Sequence, residues 1–283
     1  MNNITIGFVF TNFNNAHETG EAIHSIILNE QYSNTFIVIV DNNSNKKTIQ
    51  QLEDLKNKYS NMDVIFNKDN VGYFKGLNIG IKYIRNKKPE IEYIVIGNND
   101  IIFPINFYES ISSNLDKFKE YPIVSPNIIT LDNEHQNPHV IKKISKFREL
   151  IYDIYFSSYL LAKIIKKIAQ ITKKFTDRKD EKQHEIAQTI YQGYGACYIL
   201  GPLFFEHFNS LWSPTFLMGE EFFLSKQLES KGFKIFYEPS IIVRHKLHSS
   251  MNNITSKKIW EIARESHKEY RKHVKIWRHK PSI

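Results

Sequence analysis

Residues 4–11 (ITIGFVFT), 36–40 (FIVIV) and 93–97 (YIVIG) are short, nearly uninterrupted apolar runs, each followed by a cluster rich in Asn and Asp. Such runs are the pattern of strands buried on both faces of a parallel sheet. Between them the period changes. Over 18–29, Ala22, Ile23, Ile26 and Ile27 fall on one helical face, and helices are also expected at 48–59 and 73–86. A short strand is expected at 64–66. The order β-α-β-α-β-α-β predicts an α/β fold: a mainly parallel central sheet flanked by helices. Parallel strands put their trailing loops along one edge, so the clusters at 12–15, 41–44 and 98–100 are expected to meet there.

The second half is less regular. Strands are expected at 123–127, 194–200, 234–237 and 241–243, a helix at 218–231 ended by Gly232, and a basic helix at 256–277. Between 140 and 182 the composition turns to Ile, Leu, Phe and Tyr mixed with lysines. Ile151, Ile154, Tyr155, Leu161, Ile164, Ile165 and Ile168 can share one broad helical face, interrupted by Asp153, Lys163, Lys166 and Lys167. Two readings stay open for 141–175: a basic amphipathic helix on an anionic membrane, or a helix packed on the core or on a partner subunit. Residues 173–185 read as a charged connector.

Composition narrows this picture. The 283 residues suffice for a substantial core, and a single cysteine, Cys197, excludes an intramolecular disulfide and fits a reducing compartment. The N-terminus has no signal-peptide pattern, and no apolar run is long enough to span a bilayer, so the chain is expected to be cytoplasmic, with peripheral attachment to the inner membrane face left open. A net charge of +8 suits an anionic partner such as nucleic acid, a phospholipid surface or a phosphorylated small molecule.

Walker, dinucleotide-binding, zinc and nucleophile-elbow motifs are all absent. What remains is polar and acidic. Asp41 follows a buried strand and can accept hydrogen bonds from a nucleobase or ribose, or simply cap a turn. Asn98-Asn99-Asp100 can be a turn or can offer a carboxylate to a divalent cation. Glu220-Glu221 can contain a general base. His245 can complete a metal shell, contact phosphate, or be structural. Gly72, Gly76 and Gly80 recur every four residues at the start of a helix, where each costs about 1 kcal/mol relative to Ala. Such spacing suggests close approach of a ligand or of other backbone, with Lys75 in reach of a phosphate.

Taken in order, these pieces resemble the family 2 glycosyltransferases, nucleotide-sugar-dependent enzymes of the GT-A fold, over residues 4–250. The resemblance rests on Phe10-Thr11-Asn12-Phe13-Asn14, Asp41-Asn42-Asn43-Ser44, the run from Asn70 to Gly80, Asn98-Asn99-Asp100, Gly195-Ala196, Glu220-Glu221, and His245 with Ser249-Ser250. The Asn-Asn-Asp form is similar to that of a bacterial rhamnosyltransferase-like branch.

The resemblance implies a nucleotide-sugar-binding half at 1–100, an acceptor-binding and catalytic half at 101–250 containing a basic helical region at 141–182, and a C-terminal basic helix at 251–283. It implies donor contacts from Thr11, Asn12, Asn14, Asp41, Asn42, Asn70, Gly72, Lys75, Gly76, Asn78, Asn98 and Asn99. It places Mg²⁺ or Mn²⁺ on Asp100, with His245 completing the shell, and the base in Glu220-Glu221, with Glu221 favoured. The chemistry implied is inverting transfer from dTDP-rhamnose or a UDP-sugar to a glycan or lipid-linked hydroxyl in bacterial surface polysaccharide assembly. A homo-oligomer is left open and no nucleic-acid partner is expected. The competing readings are a nucleotidyltransferase acting on sugar phosphates, which would need a phosphate loop after the first strand, and a non-catalytic basic protein for membranes or nucleic acid.

Overall fold

The computed structural model describes residues 4–29, 34–176, 179–247 and 255–275, the side chains of 172–176 excepted. The first half alternates: β1 (Ile6–Asn12), α1 (Ala16–Ile27), β2 (Thr35–Asp41), α2 (Lys46–Lys58), β3 (Met62–Phe66), α3 (Tyr73–Lys87) and β4 (Tyr93–Asn98). β1 lies between β2 and β4 and is parallel to both, while β3 extends the sheet beyond β2. These inner strands are buried on both faces, which is why their sequences barely alternate in polarity. Alternation still sorts their side chains. Phe8, Phe10, Ile37, Ile39 and Val95 join the core that holds Ile23 and Ile26 of α1. Val9, Val38, Val40, Ile94 and Ile96 join the core that holds Phe74, Leu77 and Ile81 of α3.

α3 sits very close to the sheet. A Cβ on Gly76 would lie 2.6 Å from Thr11 Cγ2, and one on Gly80 would lie 2.3 Å from Val9 Cγ1. The four-residue glycine spacing therefore serves helix-on-sheet packing at these two positions, offsetting the helix propensity lost.

The chain continues through β5 (Ile101–Ile102), α4 (Phe107–Ser112), α5 (Lys117–Glu120), β6 (Ile123–Thr130), α6 (Lys146–Ser157), α7 (Tyr159–Thr176), β7 (Gln188–Ile190), β8 (Cys197–Leu200), α8 (Pro202–His207), α9 (Glu220–Glu229), β9 (Ile235–His245) and α10 (Ser256–His273). One mixed sheet results, in the order β3-β2-β1-β4-β8-β6-β9-β5, with β7 also on β9. The long ladders are parallel, and β8 runs antiparallel between β4 and β6. Elements such as β5, β7, α4, α5 and α8 are too short to show a period in the sequence.

Two expectations change. The strands expected at 234–237 and 241–243 are one strand. Pro239 breaks the apolar pattern, but the ladder with β6 shifts register between Pro126 and Asn127 and resumes at Asn127 opposite Ile242. Residues 141–175 do not form one helix with one face. Ser158 is extended (φ −150°, ψ 139°) and separates α6 from α7. The Ser157 hydroxyl donates to the Ile154 carbonyl at 2.7 Å and the Leu160 N–H donates to Ser158 Oγ at 3.3 Å, local bonds that end one helix and start the next. No helix among the described residues is long and apolar enough to cross a membrane. α10 ends at His273, and the end expected at 277 lies outside the described residues, as do Ser249 and Ser250.

Candidate active site

The carboxyl ends of β1, β2 and β4 bring the three Asn/Asp clusters together. Register sets Asn12 opposite Asp41 and Thr11 opposite Asn98. Asn12, fully buried, ties all three. Its Nδ2 donates to Asp41 Oδ1 at 2.7 Å, and its Oδ1 accepts from the Thr19 hydroxyl at 3.0 Å and from Asn99 Nδ2 at 3.2 Å. Asp41 also accepts from the Ser44 hydroxyl at 2.6 Å and the Ser44 N–H at 2.9 Å, so both its oxygens are engaged by the loop itself. Asn14 ties the first two loops by accepting from the Asn45 N–H at 2.8 Å.

Above this network lies a cavity of about 510 Å³. Thr11, Asn12, Asn42, Asn70, Gly72, Asn98, Asn99, Asp100, Glu220, Glu221 and His245 all line it. Asp41, Asn14, Lys75, Gly76 and Asn78 are not in that lining. Lys75 is exposed on α3. Asn78 is a structural clamp: it donates to the Leu211 carbonyl and accepts from the Leu211 N–H, both at 2.8 Å. Gly72 admits the opposite wall. It has φ +90°, and a Cβ there would meet the Phe216 carbonyl oxygen at 2.1 Å.

Asp100 and His245 face each other across this cavity wall. The β5–β9 ladder sets Ile101 opposite His245, and the Lys246 N–H donates to the Asp100 carbonyl at 3.1 Å. His245 Nε2 lies 3.2 Å from Asp100 Oδ1, yet that oxygen, buried, accepts no hydrogen bond of acceptable geometry. His245 Nδ1 lies 2.7 Å from Gln136 Oε1, an acceptor. A proton on Nδ1 therefore leaves the Nε2 lone pair beside Oδ1. Two electron-pair donors at that distance in a buried corner, with the Asn98 amide 3.4 Å from Nε2, fit a shared divalent cation. An imidazole with one carboxylate suits Mn²⁺ better than Mg²⁺.

In Arg244-His245-Lys246, at the end of β9, strand alternation puts the His245 side chain on the cavity side and its two neighbours on the other. Arg244 donates to Asn133 Oδ1 at 2.7 Å, and Lys246 pairs with Glu18 at 2.6 Å and with Glu21. His17, Glu18 and Glu21 form the one three-residue cluster of metal-ligand type among the described residues. The Lys246 ammonium already pairs with both of its carboxylates, and none of the three lines the cavity.

Glu220 and Glu221 open α9, where the helix N-terminus favours negative charge. Their environments differ. Glu220 is 5% exposed with Oε1 unpartnered, and burial, then the charge of Glu221, push its carboxyl up to about 8. Glu221 is half-buried and accepts from the Gly195 N–H at 3.3 Å. Burial also pushes the Tyr73 and Tyr194 phenols up, so both remain neutral at the wall; the Tyr73 hydroxyl donates to the Gly195 carbonyl at 2.8 Å. Gln136 and Tyr194 escape sequence reasoning, because no motif or period marks a lone polar or aromatic residue in a loop; Tyr73, inside the glycine-spaced run, and Ile262 of α10 carry no sequence signal of their own that places them at the cavity.

Residues 8–176, more than half of the chain, match the family described as Glycosyl transferase family 2. The chain belongs to glycosyl transferase family 2. The match covers the strand-end network and Asp100 but stops short of Glu220, Glu221 and His245. A search of curated proteins finds no match. Among solved structures, the family 2 chain is similar in fold to S. aureus TarS residues 1–349 in complex with UDP-GlcNAc (TM-score 0.56, 13% identity, 92% of this chain, 64% of that one). It is also similar to the mannosyltransferase PcManGT from Pyrobaculum calidifontis in complex with GDP-Man and Mn²⁺ (TM-score 0.55, 14% identity, 93% of this chain, 61% of that one). A third is GalNAc-T7 with UDP, GalNAc and Mn²⁺ (TM-score 0.57, 14% identity, 88% of this chain, 45% of that one). The family 2 chain thus spans between 45% and 64% of the length of these three structures. All share its mixed α/β architecture.

Proposed function

We propose that this chain transfers a sugar from a nucleoside-diphosphate donor to a hydroxyl acceptor with inversion at the anomeric carbon. The observation that carries the reading is the buried pair Asp100 Oδ1 and His245 Nε2, 3.2 Å apart in a cavity that also holds Glu220 and Glu221. Asp100 and His245 would hold Mn²⁺, or Mg²⁺, which when bound neutralises charge on the departing diphosphate. Thr11, Asn42 and Asn70 line the same cavity and fit donor contacts. Asp41, with both oxygens engaged, holds the Asn12 and Ser44 loops that shape this side.

Glu221 is the favoured base. Glu220 is mostly protonated near pH 7, so it takes up little of a proton released there. Glu221 stands at the cavity wall, oriented by the Gly195 N–H. It removes the acceptor proton as the hydroxyl oxygen attacks the anomeric carbon, and the nucleoside diphosphate leaves from the opposite face.

The neighbours with UDP-GlcNAc and GDP-Man accord with a nucleotide-sugar donor. The Asn98-Asn99-Asp100 form favours dTDP-rhamnose, with UDP-sugars as the next choice. A glycan or lipid-linked acceptor in bacterial surface polysaccharide assembly, with the enzyme cytoplasmic and peripheral to the inner membrane face, fits the basic segment at 141–175. Donor hydrolysis or transfer measured with dTDP-, UDP- and GDP-sugars, with and without Mn²⁺, tests the proposal; absence of turnover and of binding for every donor overturns it.

A further inference from the structure

α7 leaves most of its described side chains uncovered. Of its side chains from Tyr159 to Ile171, Ala162 alone is buried. Leu160, Ile164, Ile168 and Ile171 are exposed, Ile171 by 85%. At about 100° per residue these four occupy roughly a quarter of the helix circumference. Lys163, Lys166 and Lys167 follow on one side of that arc, and they too are exposed. α7 as a whole carries five lysines and no acidic residue. α6, packed against it, exposes a second stripe: Phe147, Leu150 and Ile154.

An apolar stripe of this size on a monomer calls for a partner. Charge selects which. A second copy laid along α7 would bring two sets of lysines together with no carboxylate on either helix to offset them. An anionic bilayer matches both features: aliphatic side chains enter the acyl boundary while lysine stems reach outward to the phosphates. α7 is too polar to go further than the surface.

We infer that α7, with α6 beside it, is a docking surface for an anionic lipid bilayer. The surface is tied to the cavity through α10. Arg271 of α10 pairs with Glu149 at 3.0 Å and with Asp153 at 2.5 Å on α6. The Trp260 indole N–H donates to the Tyr155 carbonyl at 3.2 Å, and the Tyr159 ring lies 5.6 Å from Trp260. Ile262, two residues on, lines the cavity, and the Ser266 hydroxyl donates to the Leu217 carbonyl in its wall at 2.5 Å. Docking therefore fixes how the cavity faces the membrane. That geometry fits a lipid-linked acceptor, and this last point alone rests on the proposed transfer.

The test is flotation of the full chain with vesicles of phosphatidylcholine alone or mixed with phosphatidylglycerol, alongside a thermal-shift titration with nucleoside diphosphate and Mn²⁺. The chain is expected to float with anionic vesicles and to dissociate as salt rises. Ile168→Glu/Ile171→Glu is expected to weaken that binding, and Lys163→Gln/Lys166→Gln/Lys167→Gln separately to weaken it on the order of 100-fold, at about 1 kcal/mol per surface lysine removed. Both replace exposed side chains, so melting temperature and nucleotide response should stay as in the wild type. Absence of flotation at low salt, equal binding to neutral and anionic vesicles, or flotation unchanged in both variants overturns the inference. So does a wild-type dimer that the Ile168→Glu/Ile171→Glu change converts to monomer without any lipid binding. A lost nucleotide response with flotation intact would instead refute the transferase reading.

Discussion

Gln136 Oε1 lies 2.7 Å from His245 Nδ1, across 109 positions of sequence. An amide oxygen can only accept, so Gln136 fixes the proton on Nδ1 and turns the Nε2 lone pair towards Asp100. Replacing Gln136 by Leu is expected to weaken Mn²⁺ binding about 10–100-fold, the usual cost of losing such an outer partner. Gln136→Glu keeps the acceptor and should retain most of the affinity. Isothermal titration with Mn²⁺ alone checks this without reference to turnover. Equal affinities for wild type and Gln136→Leu would show that the imidazole orientation does not matter.

Asp100 is the sole carboxylate of its tripeptide, and Asn98 touches His245 only through its amide. Asp100→Ala should lower Mn²⁺-dependent turnover well beyond 100-fold, more than the roughly 10–100-fold typical of an outer-shell loss. Asn98→Ala should fall within or below that range. A comparison of the two kcat/KM values decides, and similar losses would deny Asp100 its special place.

Asn78 and Asp41 belong to the same family resemblance as Asp100, but each spends its side chain on bonds within the fold. Asn78→Ala strips two hydrogen bonds from the Leu211 main chain and should cost about 1–3 kcal/mol of stability while leaving nucleotide affinity nearly unchanged. Denaturant unfolding and a nucleotide titration read the two effects separately.

Glu220 makes stability depend on pH. Its folded-state carboxyl sits at about 8 against an ordinary 4.5. Between those values the unfolded chain gives up a proton that the folded chain keeps, so this group's contribution lowers stability as pH rises from about 4.5 to about 8, then levels off. The accumulated cost is a few kcal/mol in order of magnitude. Glu220→Gln should therefore raise the melting temperature at pH 8.5 and change it little at pH 5. A gain at pH 5 as large as that at pH 8.5 would contradict the buried-acid account.

Much of the site's outline was legible because strand-end clusters follow from topology: continuous apolar runs imply parallel neighbours, and parallel neighbours share an edge. Asn12, Asp41 and Asn98 meet for that reason. The sequence could not divide labour within the clusters. Whether Asp41 faces solvent or spends its oxygens on Asn12 and Ser44 depends on the conformation of the loop that follows it, and hydrophobic period carries no such detail. The glycine run shows the same limit: the spacing announces close approach, but only the fold distinguishes a strand side chain at Gly80 from the Phe216 main chain at Gly72. Ser158 was harder still, since an apolar pattern continues on both sides of the break.

The most direct test of the metal–diphosphate corner is a thermal-shift titration of dTDP, UDP and GDP, each with and without Mn²⁺, on wild type and Asp100→Ala. One nucleoside diphosphate should stabilise the wild type in a Mn²⁺-dependent way, by about 2.7 kcal/mol at a hundred times its Kd, and Asp100→Ala should lose the Mn²⁺-dependent part. Stabilisation that ignores Mn²⁺, or that survives undiminished in Asp100→Ala, would contradict the account.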